Sequence, residues 1–259
     1  MASCPACAAA ADPTDRFCEA CGARLGVDPR WRSSVAPADG CAACGGTTRG
    51  PEGYCDDCGR RRATLLDRAE LAVAAAHGVT DRGARRARNE DAIALGTLDA
   101  ALVGVVCDGV STSARADDAA GAAVEAAVAA LLRELDAGVA PERAMGTAFD
   151  AALAAVSALD GPTTRHASPS CTYVSGVVTA GWLAASWVGD SRAYWVPADG
   201  EPVCLTVDHA LADADGAPHS APLTRWVGAD AGHGCAPSGC SSRRDPGASS
   251  SARTACRAT

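Results

Sequence analysis

The 259-residue chain has no apolar stretch long enough to cross a membrane. A bilayer-spanning helix needs about 20 consecutive, mostly apolar residues, and no run in this sequence approaches that length. The first residues carry neither a basic segment nor a long apolar one, so the sequence predicts no secretory signal peptide. We therefore expect a cytoplasmic protein without a membrane partner.

The chain also lacks an excess of positive charge. Its formal net charge is −8 at pH 7, because 31 Asp and Glu residues outnumber 23 Lys and Arg residues. Proteins that bind the phosphate backbone of nucleic acids are normally basic, so we do not expect nucleic acid as a partner.

Lysine and glutamine are absent, and Asn89 and Ile93 are the only residues of their types. Lysine, asparagine and isoleucine need AT-rich codons, so this bias indicates a GC-rich bacterial gene. The abundance of alanine follows from the same bias and needs no functional explanation.

Cysteine is abundant, and eight of the 14 cysteines lie before residue 60 in Cys-x-x-Cys pairs. The pairs repeat with a period of 37 residues, and each repeat has the pattern Cys-x2-Cys-x10-Cys-x2-Cys. An aromatic residue precedes the third cysteine of each repeat (Phe17, Tyr54), and a glycine follows the fourth (Gly22, Gly59). The four pairs are Cys4/Cys7, Cys18/Cys21, Cys41/Cys44 and Cys55/Cys58.

This spacing lets two short turns bring four thiolates around one Zn²⁺ ion. Disulfides are the alternative, but a reducing cytoplasm disfavours them and a strict repeat does not arise by coincidence. We predict two structural zinc ribbons, residues 1–27 and 41–63, which resemble the double zinc ribbon modules of other bacterial proteins. Closed four-cysteine sites leave no open coordination position, so we expect the ribbons to dock or regulate a protein partner.

The other cysteines and the segment between the ribbons carry weaker signals. Residues 28–40 are rich in Pro, Ser and Ala and predict a loop that links the ribbons. Cys107, Cys171 and Cys204 lie in apolar, strand-like runs and are predicted to be small core residues.

The apolar run 105–107 ends abruptly at Asp108-Gly109. A carboxylate at the end of a buried strand is held rigidly and faces a cleft, and the glycine lets a main-chain carbonyl approach a ligand. A turn that closes a strand is the commoner interpretation of Asp-Gly. The segment 85–91 interleaves arginine with acidic residues, which indicates either a solvated face or a phosphate clamp beside metal-binding carboxylates.

Hydrophobic periodicity predicts helices over residues 114–135 and 141–159, with Pro141 suited to a first turn. The segment 70–78 fits a helix or a strand equally well. Strands are predicted at residues 101–107, 171–179, 182–188, 193–196 and 203–207. The hairpin-like spacing of the later strands implies antiparallel sheet with helices packed on its faces, so we predict an α+β fold.

Six ordered motifs resemble those of the metal-dependent protein phosphatases, the PPM or type 2C serine/threonine phosphatase family. They are Asp81-Arg82-Gly83 with Arg86-x-x-Asn89-Glu90-Asp91, Val106-Cys107-Asp108-Gly109, Ser170-Cys171-Thr172, Gly189-Asp190-Ser191-Arg192-Ala193-Tyr194, Leu205-Thr206-x-Asp208-His209 and Leu223-Thr224-Arg225. The resemblance implies a sandwich of two antiparallel sheets flanked by helices, which we predict over residues 64–231.

The resemblance also implies a metal site built from carboxylates. Asp108 would bridge two Mg²⁺ or Mn²⁺ ions, and the carbonyl of Gly109 would bind one of them. Glu90 and Asp91 would hold that ion directly or through water. Asp190 would serve a third, weaker position.

Arg86 would bind the substrate phosphate, since a planar guanidinium offers paired donors. Two divalent ions about 3.5 to 4 Å apart lower the pKa of a bridging water, so no nucleophilic Ser or Cys is required. Many relatives carry a His or Met and paired glycines after Asp-Gly, where this chain has Val110-Ser111-Thr112. A histidine acid is therefore absent at that position, and we expect a structural role for His209.

The family completes its metal site with two later aspartates, and neither motif follows Ala231. Residues 232–259 contain no Val, Leu or Ile, which predicts a disordered tail. The codons of Thr254-Ala255-Cys256 permit Asp-Gly-Leu when read in a shifted frame. We therefore hypothesise that the tail is a truncated or frameshifted form of the missing strand.

Two hypotheses for function follow. The first is a signalling enzyme that hydrolyses phosphoserine or phosphothreonine in a protein by metal-activated water, impaired in this chain by the missing aspartates. The second is a non-catalytic, phosphatase-like module that binds or regulates other proteins. A complete metal site distinguishes them.

Overall fold

The computed structural model describes residues 2–3, 9–11, 20, 30–35, 44, 46–47, 54–59, 65–84, 86–159, 168–197, 199–211, 222–231, 237–243 and 253–257. Over these stretches the chain forms fifteen strands and two helices. Neither of these two helices combines the length and the apolar character that a bilayer crossing requires.

A six-stranded antiparallel sheet lies at the centre of the described fold. In spatial order its strands are β14 (Ser238–Arg243), β10 (Trp182–Val188), β9 (Tyr173–Thr179), β7 (Ala101–Asp108), β6 (Asp91–Leu98) and β3 (Trp31–Ser33). The hairpins β6–β7 and β9–β10 are consecutive in the chain, and the close spacing of the two runs predicted β9–β10 but not β6–β7. The sheet brings the end of β7 next to the start of β6.

Four smaller sheets complete the strand inventory of the described residues. They are β1 (Ala2–Ser3) with β2 (Ala10–Ala11), β4 (Arg68–Val73) with β5 (Ala76–Asp81), β8 (Ser170–Cys171) with β13 (Val227–Gly228), and β11 (Arg192–Val196) between β12 (Val203–Cys204) and β15 (Arg253–Arg257). The undecided segment 70–78 is therefore part of a hairpin, and Ala74 forms its turn with a φ of 50°.

Helices α1 (Ala116–Asp136) and α2 (Pro141–Ser157) pack together against one face of the large sheet. Their alanine-rich sequences place small side chains at the contact, so the helices approach closely. In this core Phe149 meets Tyr173 edge to face, with ring centroids 5.5 Å apart. Both helices lie within two residues of the bounds that periodicity predicted.

The other face of the large sheet packs against the sheet that contains β11. Val174, Ala185 and Trp187 form a second buried cluster there with Ala193 of β11. Residues on one strand alternate between the two faces, so Tyr173 points to the helices and Val174 to the smaller sheet. This mixed architecture confirms the predicted fold class.

The segment predicted to be a loop, residues 28–40, contains the edge strand β3 instead. Just beyond it, the Ser34 amide donates to the Ile93 carbonyl at 2.9 Å, and the Ile93 amide donates to the Ser34 hydroxyl at 3.0 Å. The outer edge of β6 offers main-chain partners that the linker composition does not reveal. Val35 and Leu65 then form an isolated antiparallel bridge.

Two further expectations are wrong for the described residues. The tail predicted to be disordered supplies β14 and β15, because the edges of β10 and β11 offer main-chain hydrogen bonds that need no large side chains. Cys107 and Cys171 are buried as predicted, but Cys204 is exposed, since β12 is a two-residue edge strand.

Candidate functional site

Asp91 begins β6, Asp108 ends β7, and the register places them directly opposite each other. The main chain of Asp108 points away from β6, because its amide donates to the Thr172 hydroxyl at 3.0 Å and its carbonyl accepts from the Thr172 amide at 2.8 Å. Asp91 and Asp108 are therefore a non-hydrogen-bonded pair, the type in which facing side chains come closest. Their carboxyl groups lie close enough for the charge of Asp91 to raise the pKa of Asp108.

This arrangement makes it costly for both carboxyl groups to be charged. Burial raises the pKa of Asp108, and the charges of Asp91, Asp190 and Glu90 raise it further, to about 9. Burial also raises the pKa of Asp91. A bound divalent cation would remove the repulsion between the carboxylates, and carboxylate oxygens are the ligands that Mg²⁺ and Mn²⁺ prefer. The donor set therefore fits a hard divalent metal.

Gly109 occupies a position that accepts no larger residue. A Cβ atom there would lie 2.5 Å from the carbonyl oxygen of Ala116 and 2.8 Å from that of Glu90. The Gly109 amide donates to the same Glu90 carbonyl at 3.0 Å. The main chain after Asp108 is thus confined between the start of α1 and the segment that carries Glu90.

Glu90 is 16% exposed and contacts three polar side chains. The Ser111 hydroxyl donates to its carboxylate at 2.8 Å, and the guanidinium groups of Arg86 and Arg88 lie 3.9 and 3.7 Å from it. Arg88 also lies 3.7 Å from the buried carboxylate of Asp117. Arg86 is 61% exposed, so its guanidinium can reach a phosphate group in front of the acidic cluster.

Asp190 lies in the turn between β10 and β11, close enough to Asp108 for its charge to raise the pKa of Asp108. Gly189 has a φ of +104°, and a Cβ atom there would lie 2.7 Å from the Thr172 side chain. Ser191 and Thr172 share a hydrogen bond of 2.7 Å between their hydroxyls. Thr172 therefore contacts both the end of β7 and the turn that carries Asp190.

The residues on either side of Asp190 are held by the Asp208-His209 pair. Arg192 donates to both carboxylate oxygens of Asp208, with its Nε at 2.9 Å. The Gly189 amide donates to His209 Nδ1 at 3.2 Å, and the His209 amide donates to the Gly189 carbonyl at 2.9 Å. These contacts are consistent with the structural role that the sequence predicts for His209.

The acidic side chains form a looser group than the cysteines of the second predicted ribbon. In the described part of the chain, the Sγ atoms of Cys44, Cys55 and Cys58 alone form a set of three metal-ligand types that all lie within 4.8 Å of one another. The acidic side chains do not form such a compact set among the described residues.

The cysteine group has the dimensions of a zinc site. The Sγ atoms of Cys44 and Cys55 are 3.6 Å apart. A tetrahedral Zn²⁺ with Zn–S bonds of about 2.3 Å separates neighbouring sulfur atoms by about 3.8 Å. The Gly46 amide donates to Cys44 Sγ at 3.4 Å, and Gly59, with a φ of +68°, donates to the Cys55 carbonyl at 2.8 Å. Cys4, Cys7, Cys18, Cys21 and Cys41 lie outside the described residues.

Sequence reasoning overlooked Thr172, Ser111 and Arg88. Thr172 and Arg88 lie inside the quoted motifs, which was the only signal available. Ser111 falls where the chain departs from many relatives. Their partners could not be inferred, because each contact joins segments that only the sheet register brings together.

The comparisons place these motifs in a wider group of proteins. The family model described as Protein phosphatase 2C matches residues 80–215. Among solved structures, the Mycobacterium tuberculosis serine/threonine phosphatase PstP/Ppp is 22% identical with a TM-score of 0.48, covering 67% of this chain and 73% of that one. Serine/threonine phosphatase Stp1 from Staphylococcus aureus is 17% identical with a TM-score of 0.48, covering 70% and 72%. The comparison with curated proteins found no match.

Proposed function

Because this chain belongs to the protein phosphatase 2C family, we propose that it hydrolyses phosphoserine and phosphothreonine in a protein partner with Mg²⁺ or Mn²⁺. The observation that supports this function best is the Asp91–Asp108 pair, in which burial and the charge of the facing Asp91 raise the pKa of Asp108 to about 9. Such a pair binds a divalent cation in exchange for its proton.

Each acidic residue has a role in this proposal. Asp108, Asp91 and Glu90 would hold Mg²⁺ or Mn²⁺ together with the Gly109 carbonyl. Asp190 would contribute a further, weaker ligand. Bound Mg²⁺ or Mn²⁺ would supply the Lewis acid that activates a water for in-line attack on phosphorus.

Arg86 binds the phosphate of the substrate. Its exposed guanidinium lies 3.9 Å from Glu90, so it contributes positive charge at the edge of the acidic cluster. Arg88 is committed to Glu90 and to the buried Asp117, and it therefore serves to hold Glu90 in place. The planar guanidinium of Arg86 offers paired donors, which suit the oxygens of a phosphate dianion.

Zn²⁺ is the second metal that we propose, bound by Cys44, Cys55 and Cys58 together with Cys41. The first ribbon uses Cys4, Cys7, Cys18 and Cys21. Closed thiolate sites leave no position for a substrate, so the ribbons have a structural or docking role. The proposed boundaries are residues 1–27 and 41–63 for the ribbons and 64–231 for the phosphatase domain.

Hydrolysis of a phosphopeptide with Mn²⁺ tests the enzymatic function. Replacing Asp108 by Asn keeps the shape of the side chain but removes the bridging charge, so we expect the rate to fall at least about 100-fold. Asp99→Asn makes the same chemical change at an exposed turn and is expected to keep the wild-type rate. Equal rates in the wild type, Asp108→Asn and a reaction without protein would exclude the enzyme.

One observation favours a non-catalytic, regulatory module as a second candidate. Strands β14 and β15 have the sequences Ser-Gly-Cys-Ser-Ser-Arg and Arg-Thr-Ala-Cys-Arg, which contain no carboxylate. If this is the function, the chain binds the phosphopeptide with Mn²⁺ and does not hydrolyse it. The nucleotide sequence tests the associated frameshift: a shifted frame without stop codons should read Asp-Gly across residues 254–255 and an Asp-Asn pair downstream.

A further inference from the structure

Asn89 has a buried amide with three hydrogen bonds. Its side chain is 3% exposed, its Nδ2 donates to the Leu66 carbonyl at 3.0 Å and to the Thr80 hydroxyl at 2.9 Å, and its Oδ1 accepts from the Asp91 amide at 3.1 Å. The partners determine which way the amide points, because a carbonyl can only accept and a main-chain N–H can only donate.

Thr80 extends this contact to the other side of Asp91. The Thr80 hydroxyl accepts from Asn89 and donates to the Asp91 carbonyl at 3.3 Å. Asn89 and Thr80 together therefore bind both main-chain polar groups of Asp91 from the outer edge of β6. Two residues along, Ser34 does the same for Ile93.

This contact matters because Asp91 is the first residue of β6. Strand ends open more readily than strand centres, and the facing charge of Asp108 repels an ionised Asp91 carboxylate. A metal site on this pair needs both carboxylates ionised and close together. The neutral side-chain amide of Asn89 binds the main chain of Asp91 and so resists the repulsion between Asp91 and Asp108 without adding another charge.

We propose that Asn89 is a positioning residue that holds Asp91 opposite Asp108 so that the pair is ready to bind a divalent metal. This role rests on the proposed function, since it assumes that the pair binds Mg²⁺ or Mn²⁺. Neither of two close polar replacements keeps these contacts: aspartate has no donor for the Leu66 carbonyl, and serine is too short to span the three partners.

The test measures Mn²⁺ affinity by the loss of the free-ion EPR signal and measures the melting temperature of each chain in EDTA. We expect Asn89→Ala to raise the Kd for Mn²⁺ about tenfold or more, the usual effect of removing a group that orients a metal ligand. Thr80→Val removes one hydroxyl and should raise the Kd about threefold. Thr179→Val is the matched control. It also removes one hydroxyl, which accepts from the Trp182 amide, but Thr179 lies at the end of β9 that is remote from Asp91 and Asp108.

A purely structural role would lower the melting temperature of Asn89→Ala and leave its Kd for Mn²⁺ unchanged, which would overturn the proposal. Equal increases in Kd for Thr80→Val and Thr179→Val would also overturn it, because the effect would then be global. If Asn89→Ala does not fold, the two threonine variants decide. If the folded wild-type chain binds no Mn²⁺, both the proposed function and the role of Asn89 are overturned. If the wild type binds Mn²⁺ and the variants bind it equally well, only the role of Asn89 is overturned.

Discussion

Asp91 and Asp108 face each other across β6 and β7, and burial together with the charge of Asp91 raises the pKa of Asp108 to about 9. The register of β6 and β7 creates this contact, since it places the two residues opposite each other with their main chains bonded elsewhere. A site of this kind trades stability of the metal-free fold for affinity toward a cation. The charge on Asp108 should therefore affect the melting temperature of the metal-free protein as well as its activity.

Removing that charge should stabilise the metal-free protein. The folded chain holds the pKa of Asp108 at about 9, whereas its ordinary value is 3.8. Between these values the unfolded chain releases a proton that the folded chain keeps, so stability falls as pH rises and the full cost is present above pH 9. We expect Asp108→Asn to melt several degrees higher than wild type at pH 8 in EDTA, with a smaller difference at pH 5. Calorimetry at the two pH values measures this difference.

Asp99→Asn is the control, because it neutralises an exposed carboxylate and should leave the melting temperature unchanged at both pH values. An Asp108→Asn variant that melts lower than wild type at pH 8 would contradict the assignment of Asp108 as the strained, buried acid. With saturating Mn²⁺ the order should reverse, since only the wild type gains binding energy from the metal.

Two glycine-to-alanine changes should have opposite effects on stability. At Gly109 the added methyl group would overlap two main-chain carbonyl oxygens that cannot move without displacing α1 or Glu90, so we expect a loss of about 3 kcal/mol. At Gly146, inside α2, nothing lies within 4 Å of the added methyl group. Alanine there should stabilise the protein by about 0.5 to 1 kcal/mol through its higher helix propensity. Urea unfolding measures both changes, and equal effects would refute the close packing at Gly109.

The ion pair beside Asp190 should require arginine. Arg192 and Asp208 are 22% and 25% exposed, and the planar guanidinium bonds both carboxylate oxygens, which a lysine cannot do. We expect Arg192→Lys to cost about 1 kcal/mol in urea unfolding. The same change at Arg133, whose side chain is 63% exposed beside Glu134, should cost almost nothing. Equal costs would mean that the pair does not hold the Asp190 turn.

Acid should weaken the contacts of His209. Burial lowers the pKa of His209 most, Arg225 lowers it further, and Asp208 opposes them. The neutral ring accepts the Gly189 amide through Nδ1, so its stabilising contribution is complete above about pH 6.5 and is lost as pH falls through the folded pKa. Thermal melts from pH 7 to 5 should show a steeper loss for wild type than for His209→Gln. The exposed His77→Gln variant should follow the wild type, and identical slopes in all three would contradict the assignment.

Periodicity was sufficient to predict both helices and the strands β7, β9 and β10 of the large sheet, but it did not predict β6. It failed for residues 28–40 and for the tail, where strands form on main-chain hydrogen bonds at open sheet edges. Strand propensity reflects side-chain packing, so it does not predict a strand that is stabilised mainly by main-chain hydrogen bonds to a neighbouring sheet edge. The segment 70–78 fitted a helix and a strand equally well. It forms a hairpin because main-chain pairing between β4 and β5 favours the strand conformation.

The sequence by itself determined the fold class and the family, because periodicity and ordered motifs are local properties of a chain. Only the tertiary structure decided that Asp91 faces Asp108, that Thr172 contacts both Asp108 and the Asp190 turn, and that Asn89 and Thr80 hold the main chain of Asp91. These contacts depend on strand register, and a shift of one residue would turn every side chain to the opposite face. Local sequence does not encode the register, which the packing of the whole sheet selects.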